Sequence, residues 1–121
     1  MPIKEETKIV SKTWGGELWI VNCDEYCGKL LYVKKGSVSS YHYHPRKKET
    51  FYSLEGVVAL TIESKDYMMN PFSRPKTIEP GARHSFTGIS DAVILEISTH
   101  HEDDDVVRLT ESFQRQDVVP G

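Results

Sequence analysis

Short runs of β-favouring residues, each ended by glycine, proline, asparagine or aspartate, limit what this sequence can fold into. No apolar pattern of helical period continues for more than about two turns. Many short strands separated by turn residues are typical of an antiparallel barrel or sandwich. The sequence therefore predicts an all-β fold, with strands at residues 19–21, 29–34, 39–44, 49–55, 57–63, 84–87 and 91–98.

The length of 121 residues fits one domain, residues 1–121, with a barrel core at about 14–108 and a polar tail at 109–121. Hydrophobic residues make up 38% and charged residues 27%, as expected of a folded globular protein. Residues 67–76 are rich in proline, serine and asparagine and are predicted to form a surface loop. The tail from Glu111 is predicted to be a short helix or partly loose.

The formal net charge of −3 provides no long-range field that would attract nucleic acid or an anionic membrane. Two small basic clusters, 34–35 and 46–48, are predicted to be solvated loop surface. The charged N-terminus has no apolar signal region, and no apolar run approaches the roughly 18 residues that span a bilayer. We therefore expect a cytoplasmic protein with neither nucleic acid nor membrane as a partner.

Cys23 and Cys27 are the two cysteines of the chain. A structural zinc site would need a second cysteine pair or histidines at the usual spacing, and none follows. Two free thiols are expected, although a disulfide between them stays open.

Three histidines and one glutamate are candidate metal ligands. Alternate side chains of a strand face the same way, so His42 and His44 project onto one face. Glu49 begins the next strand after a short turn and can reach the same point. His84 follows the turn at Pro80–Gly81, where another hairpin can deliver a third imidazole. Three imidazoles and one carboxylate suit Mn, Fe, Co, Ni or Zn and leave positions open for water or substrate.

The spacing of these residues resembles the first motif of the cupin superfamily. Residues 36–56, GSVSSYHYHPRKKETFYSLEG, match G-x5-H-x-H-x4-E-x6-G with no departure in spacing. Residues 80–86, PGARHSF, fit the second motif, P-x-G-x2-H, loosely, because proline and glycine are contiguous and Gly88 replaces the usual asparagine. The resemblance covers about residues 29–99. It implies a small single-domain antiparallel barrel (a double-stranded β-helix or jelly roll), one interior divalent metal, with Mn or Zn favoured, and a homodimer formed through outer strands.

Two further segments, WGGELW at 14–19 and EISTHHEDDDVVR at 96–108, resemble the ends of a narrower group of cupins. Small D-lyxose isomerases, the cupin domain of type II mannose-6-phosphate isomerases and the cupin of some sialic-acid synthases carry similar segments. The sequence departs from the phosphomannose isomerase pattern in the spacing to Glu49 and in having Ser98 where that group has glutamine. The resemblance implies an aldose–ketose isomerase acting on a sugar or a sugar phosphate.

Four residues outside the ligand set are candidates for that chemistry. Glu96 lies in an apolar strand, where an unpaired carboxylate is costly and burial would raise its pKa, so it is the candidate base. Lys29 is predicted to point inside, and could neutralise an enediolate or bind a phosphate. Arg108 could clamp the substrate or pair with the aspartates at 103–105. Glu17 could line the mouth, as a substrate-binding residue, or pack in a dimer interface.

Alternative interpretations remain for several of these residues and for the function. Glu96 and Lys29 could instead face solvent. His100 and His101 follow the last strand near the barrel mouth and are not expected to be ligands. A non-catalytic sugar-binding cupin would keep the barrel and the metal. An Fe(II) dioxygenase can use the same ligand set, and a metal-free nucleotide-sugar epimerase is the third alternative.

Overall fold

Thirteen strands make up the regular structure of residues 8–114, the part of the chain that the computed structural model describes. The N-terminal segment 1–7 and the end of the predicted tail, 115–121, lie outside the described residues. The strands are β1 (Lys8–Lys12), β2 (Gly15–Asn22), β3 (Cys27–Val33), β4 (Ser37–Val38), β5 (His42–Tyr43), β6 (Glu49–Glu55), β7 (Val58–Ile62), β8 (Lys65–Met69), β9 (Lys76–Ile78), β10 (His84–Gly88), β11 (Ala92–Ser98), β12 (Val107–Arg108) and β13 (Phe113–Gln114).

The strands form two antiparallel sheets. The first has the order β1-β2-β3-β11-β6-β9, and the second has the order β12-β5-β10-β4-β13, with β7 paired to β10 and β8 paired to β7. Apolar side chains from both sheets form one buried core, in which Trp14 and Phe86 stack edge to face with ring centroids 4.9 Å apart. The predicted all-β antiparallel barrel is confirmed.

The inward side chains of the first sheet change from apolar to polar along the strands. On β11, Ile94 is buried in the apolar core, whereas Glu96 and Ser98 are buried further along the same face. Glu96 lies opposite Lys29 of β3, and Ser98 lies opposite Glu49 of β6. This register gathers charged side chains at one end of the barrel interior. Burying them requires partners, so that end of the barrel is where a polar site is expected.

Strand boundaries differ from the sequence-based prediction mainly where glycines or turns were involved. β2 begins at Gly15, well before the predicted 19–21. A side chain at this position would clash with β3, because its Cβ would lie 1.8 Å from the Tyr32 backbone oxygen. The glycine therefore permits close strand pairing rather than ending the strand. The predicted strand 39–44 is divided into β4 and β5.

Two segments predicted to lack regular strands contain them. The last three residues of β8 occupy the first part of the predicted 67–76 loop. In the predicted tail, β13 pairs with β4, so the prediction of a short helix or loose chain from Glu111 is wrong for residues 113–114. Cys23 and Cys27 are free thiols, as predicted. Within residues 8–114 the structure has no helix long and apolar enough to cross a membrane.

The outward face of the first sheet is largely apolar. Ile20, Tyr32, Leu54 and Ile97 are 51%, 45%, 42% and 57% exposed. An exposed apolar face of this kind is typical of an interaction surface. The homodimer predicted from the sequence would bury it, and that assembly stays a prediction.

We expect Ile97→Lys to weaken such a dimer by at least about tenfold, because a charge would replace apolar area near the centre of the face. Light scattering coupled to size-exclusion chromatography over a concentration series measures the effect. Ile89→Lys, a change at a 46% exposed position in the β10–β11 turn, is the control. A monomeric wild-type protein, or equal effects of both variants, would contradict the prediction.

Candidate functional site

Three histidine side chains converge inside the polar end of the barrel. His42 of β5 and His84 of β10 are direct cross-strand partners, and His44 follows β5 by one residue. Their ring centroids are 4.4 to 5.5 Å apart. One nitrogen of each ring lies within 4.8 Å of the others, so the triad could hold a metal ion.

Backbone carbonyls fix the orientation of all three rings. The Nδ1 atoms of His42, His44 and His84 lie 2.7, 2.8 and 2.9 Å from the carbonyl oxygens of Ser40, Asp105 and Ala82. A carbonyl only accepts, so Nδ1 carries the hydrogen and Nε2 keeps its lone pair for a metal.

Burial reinforces this arrangement for two of the rings. It lowers the pKa of His42 to about 3, with a further contribution from His84, and it also lowers the pKa of His44. Both rings are therefore neutral near pH 7, the state in which an imidazole can bind a metal.

Glu49 completes the predicted ligand set. Its Oε2 atom lies 2.9 Å from His84 Nε2 and 3.3 Å from His44 Nε2. Among residues 8–114, neither Glu49 Oε2 nor His84 Nε2 has a hydrogen-bond partner, so lone pairs face each other in a buried space. Such an arrangement is costly without a cation between the atoms. The residues therefore fit a divalent metal, and ligation by these four residues stays a prediction.

Lys47 joins the metal site to Glu96, and sequence reasoning missed it. Lys47 was assigned to a solvated basic cluster, but it is 4% exposed. Its Nζ atom lies 3.2 Å from Glu96 Oε2 and 3.5 Å from Glu49 Oε1. Lys47 lies two residues before Glu49, and side chains two residues apart in an extended chain face the same way. That spacing could have indicated that Lys47 points into the barrel, as Glu49 does. The other members of the cluster, Arg46 and Lys48, are exposed as predicted.

The pKa values of the two buried carboxylates, Glu49 and Glu96, are shifted in opposite directions. Burial would raise the pKa of Glu49, but a hydrogen bond from the His84 ring when that ring is protonated, together with the Lys47 ammonium, outweighs burial and holds the pKa below its ordinary value. Burial, together with the negative charge of Glu49, raises the pKa of Glu96 despite the nearby lysines. For Lys47, burial is outweighed by Glu96 and Glu49, which raise its pKa. Glu96 is thus tuned toward proton exchange, whereas Glu49 stays charged.

Lys29 points inward, as predicted, and belongs to a second polar cluster. Its Nζ atom lies 3.2 Å from His101 Nδ1, 3.7 Å from Glu17 Oε1 and 4.0 Å from the centroid of the Trp19 ring. The Trp19 indole N–H donates to Glu17 Oε1 at 2.8 Å. His101 Nε2 donates to Asp103 Oδ1 at 3.0 Å, so its Nδ1 is the acceptor. Burial, with Lys29 and Lys47, lowers the pKa of His101 to about 4.

Arg108 is exposed, and it lines the cavity that His42, His44 and Glu49 also line. The alternative ion pair with the aspartates at 103–105 is wrong, because Arg46 reaches that segment instead. The Arg46 guanidinium lies 3.2 Å from Asp104 and 3.8 Å from Asp105. Strand β12 aligns Arg108 with His42 on the neighbouring strand, so its side chain starts beside the metal site rather than over the acidic turn.

A comparison of the sequence with protein-family models identifies the family of this chain. The model described as "Cupin domain" matches residues 29–98, more than half of the chain. The chain belongs to the cupin family. No curated protein matches the sequence.

Solved structures similar to this cupin share its fold at low sequence identity. A Pac13 variant from Streptomyces with uridine has a TM-score of 0.78 at 14% identity, and the match covers 97% of this chain and 98% of that one. Another Pac13 structure is described as that of a nucleoside dehydratase. KdgF from Halomonas sp. has a TM-score of 0.68 at 14% identity, covering 74% and 81%. Oxalate decarboxylase from Bacillus subtilis has a TM-score of 0.72 at 15% identity, covering 86% of this cupin but only 30% of that chain.

Three of the four candidate metal ligands of this cupin, His42, His44 and Glu49, line a cavity of about 620 Å³. Trp14, Leu31, Phe51 and Phe86 form its apolar floor, so Trp14 is part of the core as well as of the cavity wall. The volume suits a small molecule. The charged groups in its wall are Glu17, Lys29, Lys47, Glu49, Glu96, Asp103 and Arg108, with Lys8 and Lys12 at the mouth.

Asp105 holds the loop that carries the candidate ligand His44 in place, although sequence reasoning considered it only as a partner of Arg108. It is 2% exposed, and its carboxylate accepts the backbone N–H groups of Arg46 and Lys47, each at 2.9 Å. Its own carbonyl oxygen accepts from His44 Nδ1. One residue therefore orients a predicted ligand and the loop that follows it.

Asp105→Ala removes the carboxylate that holds the loop after His44 but keeps the backbone carbonyl that His44 contacts. It is expected to weaken metal binding by about 10- to 100-fold, the usual effect of losing a group that supports a ligand. Competition with a chelator measures the zinc affinity. Asp104→Ala is the control, because that neighbouring carboxylate is 82% exposed. Equal zinc affinities of the two variants would show that the Asp105 carboxylate does not position the loop that carries His44.

Proposed function

We propose that this cupin is a metal-dependent aldose–ketose isomerase acting on a sugar or a sugar phosphate, of the D-lyxose, D-mannose or mannose-6-phosphate type. The observation that carries the proposal is the placement of Glu96. Its buried carboxylate lines the cavity and is linked through Lys47 to Glu49 of the predicted ligand set. A base, a cation and a metal site thus border the same small cavity.

The reaction moves a proton between adjacent carbons of the sugar. A divalent metal held by His42, His44, Glu49 and His84 would supply a Lewis acid that polarises the substrate oxygens. The Glu96 carboxylate takes the proton from C2, its electron pair forms the C1=C2 bond, and the negative charge develops on O1. Return of the proton to C1, with transfer of the O2 proton to O1, gives the ketose. A raised pKa suits Glu96 to both transfers.

The two buried lysines support the same chemistry. Lys29 and Lys47 border the cavity, and their ammonium groups can stabilise the charge of an enediolate. The polar wall also favours a polyhydroxylated substrate over the apolar ligands of many dioxygenases. Arg108 and Glu17 lie on the same wall and are the candidates for binding substrate hydroxyl groups.

The test is conversion of a panel of aldoses and their phosphates by the Mn-loaded protein, followed by NMR in deuterated water. Metal-dependent conversion with deuterium at C1 of the ketose, and at C2 of the aldose through the reverse reaction, is the expected result. Conversion without deuterium would keep the isomerase and favour a hydride shift or a shielded proton transfer. Sugar binding without conversion would replace the proposal with a non-catalytic sugar-binding cupin, and oxygen consumption with iron would replace it with a dioxygenase.

A further inference from the structure

We propose that the substrate of this cavity carries a compact oxyanion, a phosphate or a carboxylate, which binds the ammonium group of Lys29 beside Lys47. This inference rests on the proposed function, whose substrate class it narrows from sugars in general to anionic sugars. Two independent observations carry it. One is the incomplete hydrogen bonding of Lys29, and the other is the charge of the cavity wall.

Lys47 lies between two carboxylates. Its Nζ atom donates to Glu96 Oε2 at 3.2 Å and forms an ion pair with Glu49 Oε1 at 3.5 Å. The two carboxylates neutralise the buried ammonium. Lys47 therefore needs no further ligand, although it adds positive charge to the cavity.

Lys29 is less well satisfied. It is 1% exposed, but the nearest carboxylate, on Glu17, lies 3.7 Å away, beyond hydrogen-bonding distance. Among residues 8–114, the one hydrogen-bond acceptor within reach of its Nζ atom is His101 Nδ1, at 3.2 Å. That nitrogen has a single lone pair, which Lys47 also approaches. The remaining contact is the face of the Trp19 ring, which attracts the cation but accepts no conventional hydrogen bond.

A buried ammonium with too few acceptors favours a ligand that supplies them. Lys29 lines the cavity, so a ligand there can reach it. Neutral hydroxyl groups would provide acceptors, but an oxyanion provides both acceptors and the opposite charge. Hydrogen bonds between ionised groups are about twice as strong as neutral ones. The geometry thus favours an anionic group at this position over another sugar hydroxyl.

The charge of the wall agrees with that choice. Among the described residues that line the cavity there are five lysine or arginine side chains and four carboxylates, which leaves one excess positive charge before a metal is bound. A divalent cation in the ligand set raises the excess to three. A cavity of that sign attracts anionic ligands and disfavours cationic ones. The carboxylates are Glu17, Glu49, Glu96 and Asp103, and the cations are Lys8, Lys12, Lys29, Lys47 and Arg108.

The experiment compares three matched ligands of the zinc-loaded wild-type protein by calorimetry at constant ionic strength: an aldose, its terminal phosphate and the corresponding sugar acid. We expect at least one anionic form to bind about tenfold or more tightly than the neutral aldose. The stronger of the two anions identifies phosphate or carboxylate as the source. Equal affinities of all three ligands would overturn the inference.

Lys29→Gln tests the residue assignment. It is expected to remove about tenfold of the affinity for the anion while changing the affinity for the neutral aldose little. Lys65→Gln, on exposed β8, is the control and should change neither. An equal loss for all ligands would overturn the role of Lys29. Because the ligand comparison uses the wild type, it decides the substrate class even if the Lys29 variant does not fold.

The outcomes separate this inference from the proposed function. Isomerisation of neutral aldoses with no preference for anions would keep the isomerase and overturn the anionic substrate. Lys29-dependent anion binding without conversion of any sugar would keep the oxyanion site and remove the isomerase.

Discussion

Replacing Glu96 with glutamine is expected to lower kcat for aldose–ketose exchange by about 10²- to 10⁴-fold, the usual contribution of a positioned base. The amide occupies the same space and can still accept a hydrogen bond from Lys47, whose Nζ atom lies 3.2 Å from Glu96 in the wild type. It cannot take up the substrate proton. Because Glu96 is not among the predicted ligands, zinc or manganese content and sugar affinity should change little.

Steady-state kinetics, with metal content measured on the same samples, checks this result. Glu25→Gln, at an exposed position in the β2–β3 turn, is the matched control. Turnover of the Glu96 variant near the wild-type rate would exclude Glu96 as the base. Loss of metal together with activity would instead show that Glu96 supports the ligand set.

Lys47→Met should be the most destabilising single change near the site, lowering the free energy of unfolding by about 3–5 kcal/mol. The side chain is 4% exposed and lies within 3.5 Å of both buried carboxylates, Glu49 and Glu96. Methionine has similar length but no charge, so it leaves two buried anions without their shared cation. Urea unfolding of the metal-free protein measures the loss.

Lys48→Met is the control for that variant. The Lys48 side chain is 54% exposed, and within residues 8–114 its ammonium pairs only with Glu79 on the surface. Surface pairs of this kind contribute about 0–1 kcal/mol. Adding Glu96→Gln to Lys47→Met should recover part of the lost stability, since one of the two unpaired charges is then removed. Equal losses for the Lys47 and Lys48 variants would contradict the buried network.

The destabilisation by Lys47→Met should also depend on pH. The pKa of Glu96 is raised in the folded protein, so the folded state binds this proton more readily than the unfolded state. Lys47 lowers the pKa of Glu96 in the wild type, so its removal raises that pKa further. The penalty is therefore largest above the folded pKa and shrinks as the pH falls through it toward the ordinary value for glutamate. Unfolding measured between about pH 8 and about pH 5 should show this decrease.

The part of the site that could be predicted is the part encoded by local periodicity. The alternation of strand side chains placed His42 and His44 together, and a turn on each side brought Glu49 and His84 to the same point. The apolar surroundings of Glu96 correctly indicated burial. For His42, His44, Glu49 and Glu96 the relevant neighbours are close in sequence, or the strand pattern determines which way the side chain faces, whereas His84 was identified from the turn at Pro80–Gly81 and the resemblance to the second cupin motif.

The contacts that could not be predicted join distant parts of the chain. Lys47 belongs to a run of three basic residues, and only the pairing of β6 with β11 shows that it meets Glu96. His101 and Asp105 follow the last long strand in a polar segment that resembles an ordinary acidic turn. Their roles depend on contacts 54 to 61 residues away along the chain, with Lys47 and His44. Single-sequence periodicity contains no information about such contacts.

The dependence of His44 on Asp105 has a consequence for how the protein is made. The four predicted ligands lie within the first 84 residues, but the groups that orient the loop 40–47 come from residues 105–112, which are synthesised later. During synthesis, the ligands are therefore present before the segment that organises them. The nascent chain can acquire this arrangement only after residues 105–112 have been synthesised, so we expect metal loading to follow the synthesis of that segment.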